Sequence, residues 1–201
     1  MSDGRLIVFA PGAGAPSTSA WMKAWQKRLS ELGSVVPFDY PYMREGRRAP
    51  DPLPRLIAAH RAAAASAVSE HGGDLVLAGK SMGSRVGCHA SLEEPGVRAL
   101  VCFGYPLQGA GKKRSIRDEV LLRLRTPILF VQGTRDPLCP LELLESVRAK
   151  MQAPTSLHVV TGGDHSLVVS AGARKAAGET QADSDARVLA AVRSFLETLP
   201  G

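Results

Sequence analysis

The chain has 201 residues and a formal net charge of +6. Hydrophobic residues make up 44% and charged residues 22%, which excludes a disordered chain and fits an ordinary folded one. The length suits one domain spanning 1–201, and no apolar run approaches the roughly 20 residues of a membrane span, so neither a membrane protein nor a multidomain machine is expected.

The first apolar run is Leu6 to Ala10, a short strand ended by Pro11-Gly12. Ser17, Thr18 and Ser19 offer helix caps. Trp21, Trp25, Leu29 and Leu32 then recur at helical spacing until Gly33. Val35 to Phe38 reads as a second strand, and residues 40–54 as a loop rich in proline and arginine. Residues 55–71 are alanine-rich and helix-forming, with Gly72-Gly73 as the stop.

Leu75 to Ala78 is a third strand, followed by a tight turn and a helix to about Glu94. Ala99 to Phe103 is a fourth, and residues 104–118 read as a loop. Pro127 to Val131 is a fifth strand, with a helix marked by Leu141, Leu144, Val147 and Met151 after it. Leu157 to Val160 is a sixth. Residues 170–186, rich in Ala, Gly and Ser, read as a mobile insertion. The last helix shows Val188, Ala191, Val192, Phe195 and Leu199 on one face, with Ser184 as its expected cap.

Alternating strands and helices predict an α/β protein with a doubly wound, mostly parallel sheet of about six strands. The continuous apolar strands fit a sheet covered on both faces. Such sheets bind ligands at the carboxyl ends of their strands.

The chemistry concentrates at Gly79-Lys80-Ser81-Met82-Gly83, a G-x-S-x-G set between a strand and a helix. In that context the serine hydroxyl projects above the sheet as a nucleophile. A phosphate-loop reading of Gly-Lys-Ser fails, because the glycine it needs five residues before Gly79 is Asp74. A serine nucleophile needs a base and the base an orienting acid. Gln132-Gly133-Thr134-Arg135-Asp136-Pro137 follows the fifth strand and Thr161-Gly162-Gly163-Asp164-His165-Ser166 the sixth. The order Ser81, Asp136, His165 fits this type of sheet.

The competitors read as structural. His60 and His71 lie on a surface helix, His89 lies within the helix after the serine, and His158 sits inside a strand. Asp164 fixes its loop, and Arg135 is a structural charge. For an oxyanion hole the backbone N–H groups expected are those of Met82 and of Ala13, with Gly14 as the alternative to Ala13. No metal or cofactor is called for.

PGAGAP at 11–16, FDYPYMREGRRAPD at 38–51, GKSMGSR at 79–85, GYPL at 104–107, GTRDP at 133–137 and GGDHSL at 162–167 together resemble a small α/β-hydrolase. The resemblance is nearest to the compact family that includes testis-expressed and NSL-complex regulatory hydrolase-like proteins and their bacterial relatives. It implies a hydrolase sheet shortened at its N-terminal edge, with Ser81, Asp136 and His165 as triad. It departs from many esterases in having PGAG in place of an HG-type start.

The expected activity is hydrolysis of carboxylic esters or thioesters, with a small-molecule ester as partner. Only 23 residues separate Phe103 from Pro127, room for a short helix around 119–124 but no lid domain. The site is therefore expected to be open and to accept small or exposed acyl groups, with Tyr40, Tyr42, Met43 and Tyr105 at its rim.

The alternative is a catalytically silent scaffold holding an anionic partner through Arg44, Arg47 and Arg48 and the basic segment 112–125. Aromatic residues, at 5%, argue against nucleic acid as that partner. Cys88, Cys102 and Cys139 are odd in number with no CxxC pair, and the N-terminal stretch MSDGRLIVFAPG lacks a signal-peptide pattern. Free thiols and a cytoplasmic location are expected.

Overall fold

The computed structural model describes residues 4–109 and 115–199. In chain order it has β1 (Arg5–Ala10), α1 (Ala20–Leu29), β2 (Ser34–Pro37), α2 (Pro41–Arg44), α3 (Leu53–His71), β3 (Asp74–Lys80), α4 (Met82–Ser91) and β4 (Val97–Phe103). A 3₁₀ turn at Leu121–Arg123 follows. Then come β5 (Ile128–Gly133), α5 (Leu141–Arg148), β6 (Thr155–Val160), α6 (Ala171–Ala177) and α7 (Gln181–Glu197).

The six strands form one sheet in the order β2-β1-β3-β4-β5-β6, and every neighbouring pair is parallel. The chain runs outward from β1 to β2, then crosses back over β1 to β3. The winding direction therefore reverses at β1 and β3, and the loops leaving their carboxyl ends diverge to leave a crevice. Those loops are 11–16 and the turn at Ser81.

Strand periodicity sorts the core into two layers. Leu6, Val8, Leu75, Leu77, Leu100, Cys102 and Phe130 face one way, against Ala64 and Ala67 of α3, Cys88 of α4 and Leu144 and Val147 of α5. Ile7, Phe9, Val76, Ala78, Val101, Phe103 and Val131 face the other way, against Met22, Trp25 and Leu29 of α1 and Val188, Val192 and Phe195 of α7. The middles of the central strands β1, β3, β4 and β5 are apolar runs because both of their faces are covered, whereas the edge strands β2 and β6 are only partly buried. Cys88, Cys102 and Cys139 are free and buried. Among the described residues no helix is long and apolar enough to cross a membrane.

Several local expectations are corrected. Part of 40–54 is helical: Pro41 opens the single turn of α2, and α3 begins at Leu53, preceded by Pro52. Residues 170–186 are mostly helix. Ser170 caps α6 by accepting from Ala173 N, and Gly178 ends it in a left-handed conformation. Thr180, not Ser184, caps α7, in a reciprocal box with Asp183. Composition hid these signals, since small residues look like linker when the capping side chains are overlooked. The helix after the serine ends at Ser91, and the segment around 119–124 winds only into the 3₁₀ turn.

His60 is not on the surface. It is fully buried, its Nδ1 is 3.1 Å from Tyr40 Oη, and its Nε2 has no partner. Phe38 and Tyr40 stack edge-on against its ring. Burial pushes its pKa down to about 3. The unfolded chain takes up this proton near 6.5, whereas the folded chain refuses it until about 3. Stability is therefore lost as pH falls from 6.5 toward 3. A His60→Phe variant loses the Tyr40 partner and is the less stable form at pH 7. Its deficit against wild type, read from urea unfolding, shrinks at pH 4.5.

Candidate active site

β3 delivers Ser81 to the crevice, and α4 starts at the next residue. Ser81 holds φ 51° and ψ −115°, a conformation L-residues rarely adopt. The glycines on either side make the turn sterically possible. A Cβ on Gly79 would run into the backbone of Gly83 and Ser84, and one on Gly83 would stand 2.5 Å from Ala10 O. Strand and helix thus meet without side chains between them. Ser81 N donates to Phe103 O at 2.9 Å, and Ser84 Oγ donates to Ser81 O at 2.6 Å.

β5 and β6 bring in the other two groups. Gly133 has no side chain, so the 163–164 backbone can lie directly against it; a Cβ there would overlap Gly163 O. Arg135 N donates to Gly163 O (2.9 Å), and Thr134 Oγ1 accepts from Gly162 N (2.8 Å), tying the two loops together. His165 then sits with Nε2 2.8 Å from Ser81 Oγ and Nδ1 2.7 Å from Asp136 Oδ2.

An ionised carboxylate only accepts, so the proton of the neutral ring lies on Nδ1 and Nε2 is free to accept from the serine hydroxyl. Asp136 is buried, and it is further fixed by Leu138 N on Oδ1 (2.8 Å) and Gln132 Nε2 on Oδ2 (2.6 Å). Burial alone would raise this carboxyl. The hydrogen bond and charge of His165, with Leu138 N–H and Gln132, outweigh it and hold the pKa below the ordinary value.

Asp164 is engaged elsewhere. Its Oδ1 accepts from Ser166 N (2.7 Å) and Val168 N (3.0 Å), which shapes the loop carrying His165. Arg135 is exposed. His71 is exposed, while His89 and His158 are half-buried outside this cluster.

Met82 is the first residue of α4, and its N–H is one of the helix donors that the helix itself cannot satisfy. Across the crevice the 11–16 loop is anchored by Tyr42, whose hydroxyl donates to Ala13 O at 3.0 Å. Burial first, then the charges of Asp51 and Asp39, push the Tyr42 pKa up to about 12, so the hydroxyl stays a donor at any ordinary pH.

The rim differs from expectation. Tyr40 and Tyr105 are fully buried, Tyr40 against His60 and Tyr105 with its hydroxyl on Arg117 O. Tyr42 and the half-buried Met43 line a surface groove beside Ala13 and Gly14. An aromatic residue in a loop reads as a rim residue only until its burial is known.

Two clefts meet at Ser81 and Ala13. One, of about 400 Å³, is walled by Gly12, Gly14, Trp21, Lys80, His165 and Ser166. The other, of about 360 Å³, is walled by Met82, Arg85, Pro106, Gln108, Arg117 and Leu138. In the first, Lys80 Nζ donates to Ser166 Oγ (3.0 Å) and lies over the Trp21 ring, 5.1 Å from its centroid. Trp21 Nε1 in turn donates to Ser166 O (2.8 Å).

Sequence reading passed over Gln132, Lys80 and Trp21. Gln132 had a signal, being the one polar side chain between Ile128 and Val131 on one side and Gly133 on the other. Of the expected basic patches, Arg47 is held by Glu45 and Asp51. Lys112, Lys113 and Arg114 lie outside the described residues.

The sheet order, the serine at a strained strand-to-helix turn and the absence of a lid among the described residues define a hydrolase-type α/β protein. The chain belongs to the alpha/beta hydrolase domain family, whose sequence model matches residues 3–197. Solved structures agree on the fold. A serine hydrolase without lid from Xanthomonas campestris, XC6422, superposes with a TM-score of 0.73 at 17% identity, covering 100% of this chain and 85% of that one. Est1E from Butyrivibrio proteoclasticus gives 0.69 at 16% identity, with 98% and 88% covered. RedJ, a thioesterase from the prodiginine pathway of Streptomyces coelicolor, gives 0.63 at 20% identity, with 96% and 91% covered.

The lowered Asp136 pKa has a consequence for stability. A depressed carboxylate stabilises the folded state fully above its unfolded value near 3.8, and the contribution is lost as pH falls below that. Asp136→Asn is expected to be less stable than wild type from pH 7 down to pH 5. The gap in urea midpoint narrows as the pH is taken below 3.8.

Proposed function

We propose that the protein is a serine hydrolase that cleaves carboxylic esters or thioesters of small or exposed acyl groups through an acyl-enzyme. The observation that carries this reading is the unbroken hydrogen-bonded line from Ser81 Oγ through His165 to the buried Asp136, with Ser81 held at its strained turn.

Ser81 Oγ attacks the acyl carbon as its proton passes to His165 Nε2, and the carbonyl electron pair moves onto oxygen. The N–H groups of Met82 and of Ala13, or Gly14 in its place, receive that oxyanion. A donor of this kind is worth about 3–4 kcal/mol of barrier. Collapse of the tetrahedral species breaks the C–O or C–S bond, and His165 returns the proton to the departing group. Water then repeats the sequence on the acyl-enzyme and releases the acid. Asp136 stays ionised throughout, holding the His165 tautomer and stabilising the imidazolium.

Further support comes from the open setting. Only a 3₁₀ turn lies between β4 and β5 among the described residues, and the two clefts reach Ser81 directly. The solved neighbours include an esterase domain from Rhodothermus marinus and a thioesterase, so both leaving-group chemistries occur on closely similar folds. The motifs GKSMGSR and GTRDP are our reason for placing the chain among the relatives of the testis-expressed and NSL-complex hydrolase-like proteins. The free thiols are consistent with a cytoplasmic enzyme.

A fluorophosphonate probe is expected to label wild type at Ser81 and to leave Ser81→Ala unlabelled, with the adduct located by peptide mass spectrometry. Turnover of a short p-nitrophenyl ester should fall by about 10⁴-fold or more in Ser81→Ala and in His165→Gln. A wild type that neither labels nor turns over any short ester refutes the reading. Tyr42→Phe frees the Ala13 carbonyl, and kcat is expected to drop by about 5-fold, the worth of one ordinary hydrogen bond.

A further inference from the structure

The cleft walled by Arg85 and Arg117 carries more positive charge than its surroundings balance. Arg85 is one helical turn beyond Ser81 on α4, about 6 Å further along the helix axis. Its Nε is buried with no hydrogen-bond partner. Arg117 is pinned from behind, since its backbone N donates to Leu107 O and its carbonyl accepts from the Tyr105 hydroxyl. Gln108 completes the wall, its side-chain carbonyl oxygen also buried without a donor.

Neither Arg85 nor Arg117 has a carboxylate within ion-pair distance among the described residues. The one acidic side chain in this wall is Asp51, and it is committed to Arg47 (2.7 Å), Arg55 (3.1 Å) and Tyr42 N (3.1 Å). Both residues line the same cleft, and burial, then the like charge of Arg85, push the Arg117 pKa below its ordinary value. Two half-buried guanidinium groups without a counter-ion are costly unless a ligand supplies the anion.

The arrangement also fixes which part of a substrate would lie there. His165 must hand its proton to the leaving group, and His165 walls the other cleft, not this one. The leaving group therefore occupies the Trp21–Lys80 side, and the acyl group extends over Met82 toward the arginines.

We infer that the Arg85–Arg117 cleft is a subsite for an anionic group on the acyl chain, so that the preferred substrates are esters or thioesters of acids bearing a second carboxylate or a phosphate-type group. This rests on the hydrolase reading above for its chemistry. Guanidinium forks match either oxyanion in paired hydrogen bonds, and both are answered by the same two side chains.

The test compares p-nitrophenyl valerate with the hemisuccinate, the hemiglutarate and the 4-phosphonobutyrate esters. Wild type is expected to show a kcat/KM at least about 10-fold higher on one of the charged esters than on valerate, and which charged ester leads tells carboxylate from phosphate. Arg85→Gln and Arg117→Gln should each cut that charged-to-neutral ratio by about 10- to 100-fold, the worth of a charged hydrogen bond. Lys150→Gln, at an exposed charge two residues beyond α5, should leave the ratio unmoved and so separates a local subsite from the general pull of a basic protein.

Calorimetry of monomethyl glutarate on Ser81→Ala provides a readout free of turnover, with binding expected and lost in the Ser81→Ala/Arg117→Gln double variant. Ester turnover with no charged preference overturns the subsite and leaves the hydrolase standing. Binding that needs Arg117, without turnover of any ester by wild type, overturns the hydrolase and leaves the subsite.

Discussion

Ser81 sits where the backbone of a serine resists going. A conformation such as φ 51°, ψ −115° costs on the order of 1–3 kcal/mol and persists only when the surroundings leave no alternative. Here the surroundings are two backbones in contact. Gly79, one residue before the end of β3, lies against the start of α4, and Gly83 lets that helix pass under the carbonyl of Ala10 at the end of β1. The sheet clamps β3 between β1 and β4 along its whole length, so the turn cannot relax by sliding. The same clamp places Met82 N–H at a helix start and sets Arg85 one turn further on.

What the central strands do for the serine, the outer strands do for its partners. Asp136 follows β5 and His165 follows β6, and the bare backbone of Gly133 lets their loops touch. Distances of 2.7 and 2.8 Å along the line from Asp136 to Ser81 follow from strand spacing and loop contact. Six strands and loops from the carboxyl ends of β1, β3, β5 and β6 suffice. The charge around this line is lopsided in kind. Lys80 on one side is satisfied by Ser166 and Trp21, whereas Arg85 and Arg117 on the other have no acidic partner among the described residues.

The sheet was readable because burial on both faces turns the central strands into apolar runs, and Ser81, Asp136 and His165 could be singled out because each follows a short strand pattern. Misreadings arose where a residue's surroundings come from elsewhere in the chain. Alanine surrounds His60 in α3, so nothing in the local pattern told the buried face from the open one. Tyr40 and Tyr105 sit in polar, proline-containing loops, yet other elements fold over them. Arg117 belongs to the basic segment 112–125, and Arg85 ends the stretch GKSMGSR that carries the serine. Only their tertiary meeting makes them a pair. The caps at Ser170 and Thr180 were local and visible, but the Ala/Gly/Ser composition around them spoke louder.

Trp21 and Trp25 are the only tryptophans in the chain, and both lie in one aromatic cluster with Phe103. Trp21 bridges α1 to the loop that carries His165, through its hydrogen bond to Ser166 O, and carries the Lys80 ammonium on its face. The protein's intrinsic ultraviolet emission therefore originates beside the cleft at Ser81. Any event that shifts the ammonium or loosens the Ser166 carbonyl alters the local field on the indole, so the chain carries its own optical gauge of that cleft without a fluorophore being attached.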